Sequence, residues 1–270
     1  MDWQTNYNEL VDTINRALPG YLGDGEPALI YEAMGYSLLG GGKRLRPAIL
    51  LACAAMHGGE PTRAMPFACA LEMIHCYSLI HDDLPAMDDD DMRRGQPANH
   101  IKFGEGLAIL AGDGLLNRAY EVMAAACLSD NNPENLEAMA IISKCAGAEG
   151  MIGGQVLDIF SNEPNEAALL EIHTKKTAKL FIAAFVAGAH IGGADIDTIK
   201  RFEKIGEKFG ILFQIQDDLQ DMTGYANIFG EKKTRATLKA LNIEVLALLE
   251  QEKNSQFFTD LVNYLTSERS

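Results

Sequence analysis

The 270-residue sequence predicts an all-α fold. Apolar residues recur at helical spacing along most of the chain, and the alternation of a half-buried strand is nearly absent. Aromatic residues are only 7% against 47% hydrophobic residues overall, a balance carried by Ala, Leu, Ile and Met that favours packed helices over a β-sandwich. Turn signals cut the chain into helix-sized intervals at Pro19-Gly20, Gly23-Asp24-Gly25, Gly40-Gly41-Gly42, Gly58-Gly59, Asn131-Asn132-Pro133, Asn162-Glu163-Pro164, Gly192-Gly193 and Gly224.

Taken in order, Pro66 suits the first turn of a long helix that runs to about Asp83. Further long helices are expected over roughly 104–128, 134–152, 175–191 and 196–222, between the turn signals. No linker, low-complexity stretch or solenoid period interrupts them, so residues 1–270 are read as one helical domain.

The formal net charge of −15 argues against nucleic acid or anionic lipid as a partner, since both call for a basic face. Any anionic substrate must then be held by a few placed cations or by metal ions. Cys53, Cys69, Cys76, Cys127 and Cys145 are odd in number, form no CxxC and sit mostly in apolar helical stretches. They are expected to be reduced core residues of a cytoplasmic protein. The polar start, Met1-Asp2-Trp3-Gln4-Thr5-Asn6, lacks the features of a secretory signal. No apolar run approaches the ~20 residues of a membrane span. Residues 181–194 come nearest, and their glycines and His190 suit a buried helix better.

Chemistry concentrates in two acidic constellations. Residues 71–86 are apolar until Asp82 and Asp83; Asp88, Asp89, Asp90 and Asp91 follow, then Arg93 and Arg94. Carboxylates this dense repel one another unless cations lie among them. A solvated loop explains poorly why the run directly follows a long apolar helix and ends in paired arginines. The calcium-loop pattern with its closing glutamate is not present. Magnesium held by one or two carboxylates and substrate phosphates, with arginine forks on the phosphate oxygens, accounts for both signs of charge.

In residues 209–221, Gln214, Asp217, Asp218 and Asp221 are spaced i, i+3, i+4, i+7 and share one helix face. Large apolar residues occupy most of the remaining circumference, so the helix is expected to be central, its carboxylates facing water or metal rather than lying on a surface stripe. Two acidic helices facing each other across a cavity would clamp an anionic ligand through cations. The weaker basic signals are Gly40-Gly41-Gly42-Lys43-Arg44-Leu45-Arg46-Pro47, a glycine turn before a helix start, and His173-Thr174-Lys175-Lys176-Thr177. His75 and His81 on the first acidic helix fit either a core or a site role.

The stretch EMIHCYSLIHDDLPAMDDDDMRRG at 72–95 resembles the trans-isoprenyl diphosphate synthase family, bacterial-type farnesyl diphosphate synthases in particular. GGKRLRP, GGQxLD (Gly153, Gly154, Gln155, Asp158), HxxKT (His173, Lys176, Thr177) and FQxQDDxxD at 213–221 accompany it in the family's order. The resemblance covers about residues 1–222. It implies an isoprenoid synthase-type orthogonal bundle of long helices around a central cavity, and a homodimer. It assigns Gly42, Lys43, Arg46, His75 and Arg94 to isopentenyl diphosphate. Asp82, Asp88 and Asp217 become Mg²⁺ ligands, supported by Asp83, Asp218 and Asp221. Arg93, Lys176, Thr177 and Gln214 meet the allylic diphosphate, with Thr177 and Gln214 also flanking the developing cation. Tyr77 and Ser78, about one turn below Asp82, set chain length. An aromatic there and the four residues between Asp83 and Asp88 favour a C15 product in the family, with geranyl and geranylgeranyl diphosphate behind it.

After 222 the chain departs from the family pattern. The expected glycine-lysine loop is about half its usual length and its aspartate is missing; Lys232 or Lys233 is the candidate for the absent lid lysine. A degenerate diphosphate-binding or partner subunit is therefore the alternative reading. A terpene cyclase fits less well, because cyclases normally replace the second DDxxD.

Overall fold

A computed structural model describes residues 3–161 and 165–267; Met1, Asp2 and the turn signal at Asn162-Glu163-Pro164 lie outside them. The described chain is almost wholly helical. Helices α1 (Trp3–Leu22), α2 (Ala28–Leu38) and α3 (Leu45–Met56) lead into the long α4 (Pro61–Asp82). A two-rung antiparallel hairpin, β1 (Met92–Arg93) and β2 (Gln96–Pro97), follows the acidic loop. Then come α5 (Asn99–Phe103), α6 (Glu105–Ser129), α7 (Pro133–Ala146), α8 (Met151–Phe160) and α9 (Glu166–Ile172). A π-helical turn, His173–Ala178, runs into α10 (Lys179–Ile191), followed by α11 (Ile196–Asp221), α12 (Gly224–Phe229), α13 (Glu231–Leu249) and α14 (Gln256–Thr266).

Helices α4 and α10 form the centre. From Leu180 to Ala189 every side chain of α10 is buried, because α3, α7 and α11 all pack against it. Helix α4 packs on α6, α3 and α1 and buries residues around its whole circumference. Helix α10 therefore lacks a polar face, as a fully enclosed helix must, whereas α4 turns His75, Ser78, His81 and Asp82 to a cavity.

The expected helices over 104–128, 175–191 and 196–222 are present within a residue or two at most boundaries, the start of α10 being drawn into the π turn. Three expectations are corrected. Pro61, not Pro66, takes the first turn of α4, because Glu60 is extended (φ −72°, ψ 130°) and the chain enters the helix there; Pro66 lies inside. Pro19 likewise lies inside α1, which ends at Gly23 with φ +72°. The helix expected over 134–152 breaks at Gly147, which is extended (φ −74°, ψ −167°), and α8 restarts at Met151. That break frees α8 to turn towards the cavity.

Candidate active site

A cavity of about 960 Å³ opens among α3, α4, α6, α8, the π turn and α11. Its upper wall is charged. Asp82 from the end of α4 and Asp217 from α11 both line it, as do Arg93, Arg94 and Lys176. The loop after α4 folds back, with the Asp88 N–H donating to the Asp82 carbonyl at 2.9 Å, so Asp88 stands beside Asp82 at the rim. Burial, and then the neighbouring Asp82 charge, raise the Asp88 carboxyl above its ordinary value. Burial does the same to Asp217, with Lys43 opposing and Asp221 reinforcing.

Neighbouring carboxylates behave differently. Asp83 is buried and takes Arg93 Nε at 2.8 Å as well as the Arg93 Nη2 contact. Asp218 is buried and accepts from Gln214 Nε2 at 2.9 Å and the Tyr225 N–H at 2.8 Å, with His173 Nε2 3.4 Å away. Each is thus occupied by protein partners, whereas Asp82 and Asp217 face the cavity. Asp221 lies exposed at the end of α11.

The glycines of α8 set the approach of the π turn. A Cβ on Gly154 would stand 2.1 Å from the Lys176 backbone nitrogen, so only glycine lets α8 pack this closely. From α8, Gln155 donates to Asp82 and Asp158 accepts from Lys176 at 2.7 Å. Lys176 Nζ is also 3.7 Å from Asp82. Thr177 donates to Gln214 Oε1 at 2.7 Å, and since Asp218 accepts from the Gln214 amide nitrogen, the amide orientation is fixed.

Further cationic residues, Lys43 and Arg46, line the same cavity. Lys43 and Arg46 make no ion pair with a carboxylate among the described residues; Arg46 lies over Phe181 at 4.4 Å and Lys43 over Phe213 at 5.6 Å. Burial lowers the Arg46 pKa to about 10. His75 is 3.4 Å from Arg46, and burial with the surrounding arginines pushes its pKa well down, keeping it neutral. Arg94 donates to the Gly41 carbonyl and abuts Gly42, where a Cβ would lie 2.8 Å from its guanidinium carbon. With Asp217 nearby but no carboxylate at ion-pair distance among the described residues, the donors of Lys43 and Arg46 are open to an anionic ligand.

Below the charged rim the wall is apolar, with Leu116, Met151, Val156, Leu180 and Phe213. Tyr77 lines this part at 5% exposure, while the Ser78 hydroxyl is spent on the His75 carbonyl at 2.8 Å.

Among the described residues, no three His, Cys, Asp or Glu side chains close around a metal by themselves. Asp82 and Asp217, entering the cavity from two helices beside Arg93 and Lys176, fit the chemistry of Mg²⁺, which takes one or two carboxylates plus substrate phosphates and water.

A family model described as polyprenyl synthetase matches residues 27–267. The chain belongs to the polyprenyl synthetase family. It is 45% identical over 253 residues to the Arabidopsis thaliana heterodimeric geranylgeranyl pyrophosphate synthase large subunit 1, covering 91% of this chain and 68% of that protein. With the farnesyl diphosphate synthase of Geobacillus stearothermophilus it shares 42% over 247 residues, 87% of this chain and 82% of that one. The crystal structure of an FPP/GFPP synthase from Zymomonas mobilis superposes with a TM-score of 0.91 at 32% identity, covering 97% of this chain and 98% of the other. The fold is the all-α isoprenoid synthase fold expected from the motifs.

Within this polyprenyl synthetase, the divergent segment after 222 is held away from the cavity in this structure. Neither Lys232 nor Lys233 lines the cavity. Lys233, in the first turn of α13, is paired with Glu166 of α9 at 2.5 Å and lies 4.4 Å over Phe229 of α12. The Tyr225 hydroxyl joins the same Glu166. Sequence reasoning missed this clasp, whose partners are 59 and 67 positions apart. It also gave no role to Arg44, buried on Glu72 at 2.6 Å; a glutamate inside the apolar run of α4 was the available signal.

Proposed function

We propose that the chain is a Mg²⁺-dependent prenyltransferase that condenses isopentenyl diphosphate with dimethylallyl or geranyl diphosphate to give farnesyl diphosphate. Prenyl diphosphate synthase activity is what the family match and the relatives support. The observation that carries the reading is one cavity lined by carboxylates from α4 and α11, by Lys43, Arg46, Arg93, Arg94 and Lys176, and by apolar side chains.

In this reading Arg93 and Lys176 bind the allylic diphosphate, with Asp82, Asp88 and Asp217 holding Mg²⁺. When bound, Mg²⁺ neutralises charge building on the departing diphosphate. The allylic C–O bond breaks heterolytically, its electron pair leaving with diphosphate. Thr177 and Gln214 direct oxygen dipoles at the resulting cation. Gly42, Lys43, Arg46, His75 and Arg94 hold isopentenyl diphosphate so that its double bond attacks the allylic carbon. A new C–C bond forms, and a proton passes from the isopentenyl unit to the released diphosphate. The apolar walls exclude water that would quench the cation.

Tyr77 floors the chamber and favours the C15 product over geranylgeranyl diphosphate. Residues 1–270 act as one domain, as a homodimer in the cytoplasm. No helix among the described residues is long and apolar enough to cross a membrane. Both acidic motifs and both arginines are in place, which disfavours a degenerate partner subunit. Mass spectrometry of the product from isopentenyl and geranyl diphosphates tests the chain length: C15 is expected, and a predominant C20 product would overturn the farnesyl assignment.

A further inference from the structure

The loop carrying Lys43 is held from beneath by α1. The Tyr7 hydroxyl donates to the Lys43 carbonyl, and Asn15 Oδ1 accepts from Arg44 Nε at 2.9 Å. Gly41, Gly42 and Arg44 all have positive φ, 92°, 129° and 50°, so this turn has no ladder of regular backbone bonds to define it. Side-chain ties must do so instead. The buried Arg44 guanidinium fixes one end, on Glu72 at 2.6 Å and on the Leu38 carbonyl at 2.7 Å. Tyr7 fixes the position that bears the cavity-lining ammonium.

Tyr7 is itself clamped. Trp3 stacks on its ring with centroids 5.6 Å apart and planes 10° apart. Trp3 in turn packs on Tyr264 of α14 at 4.7 Å. Burial, with Tyr264 and Glu72 reinforcing it, raises the Tyr7 phenol to about 12.

We propose that Tyr7 is a positioning residue for the reaction: by holding the Lys43 backbone it aims the Lys43 ammonium at the diphosphate of isopentenyl diphosphate, and α14 buttresses it through Trp3. This rests on the reading of Lys43 given above. Lysine has a flexible stem, so its reach is defined only as well as its backbone is. When the hydroxyl alone is removed, the Arg44 ties to Glu72 and the Leu38 carbonyl and the Arg94 bond to the Gly41 carbonyl remain.

The test is steady-state kinetics with each substrate varied in turn, on Tyr7→Phe, Lys43→Ala and the double variant. Lys43→Ala is expected to raise KM for isopentenyl diphosphate about tenfold, the scale of a charge-assisted contact. Tyr7→Phe should raise the same KM about fivefold, the scale of one hydrogen bond, with KM for the allylic substrate and kcat unchanged. The double variant should be no worse than Lys43→Ala, because the two changes act through one ammonium. An unchanged Tyr7→Phe beside an impaired Lys43→Ala would overturn the role of Tyr7. So would a rise in both KM values or a loss confined to kcat, which signal general loosening. An unchanged KM in Lys43→Ala would overturn the assignment of Lys43 itself, and the proposal with it.

Discussion

Asp82 and Asp218 carry the same side chain and are held in opposite ways. Asp82 opens on the cavity, while Asp218 is saturated by Gln214 and the Tyr225 N–H. Asp82→Ala is therefore expected to abolish turnover while stability falls by only about 1 kcal/mol, since the lost Gln155 and Lys176 contacts are part-exposed at the cavity and relief of Asp88 offsets them. Asp218→Ala leaves buried donors unpaired and should cost about 2 kcal/mol or more, read by denaturant unfolding. Arg44→Met strands Glu72 as a buried lone charge. It should cost about 3–5 kcal/mol and lower Tm by roughly 10 °C, followed by calorimetry.

At the scale of elements, the site depends on α8 meeting the π turn without a side chain between them. Gly154→Ala should push α8 off Lys176, costing about 1–3 kcal/mol and lowering kcat through displaced Lys176 and Gln155. Circular dichroism and turnover on one preparation separate the two effects. The carboxylate faces were legible in the sequence because i, i+3, i+4 spacing fixes which residues share a side of a helix. The length of α11 and the burial of α10 were legible for the same reason. The start of α4 was misplaced because Pro61 and Pro66 both suit a first turn, and only the extended Glu60 decides between them. The break at Gly147 was hidden because glycine is tolerated within helices as well as at their ends. Lys233 could not be placed, since its partner Glu166 lies 67 residues away and no local pattern links them.

For the whole molecule, burial of titratable groups shapes stability on both sides of neutrality. Burial lowers His57 and His190 below 6.5, so the unfolded chain binds more protons and stability falls as pH drops through and below about 6.5. Burial raises Cys69 to about 12 and Cys145 to about 11, so the folded chain keeps protons the unfolded chain loses. Stability is then present below about 9 and is lost as pH rises towards 12. Tm should peak between these limits and fall on either side. Cavity, opposed carboxylates and unpaired cations all converge on one reaction, and Mg²⁺-dependent turnover of the purified chain tests it most directly. Condensation of isopentenyl and allylic diphosphates should occur with Mg²⁺, stop on chelation and return when Mg²⁺ is restored. A folded, helical protein that forms no product under these conditions would contradict the account.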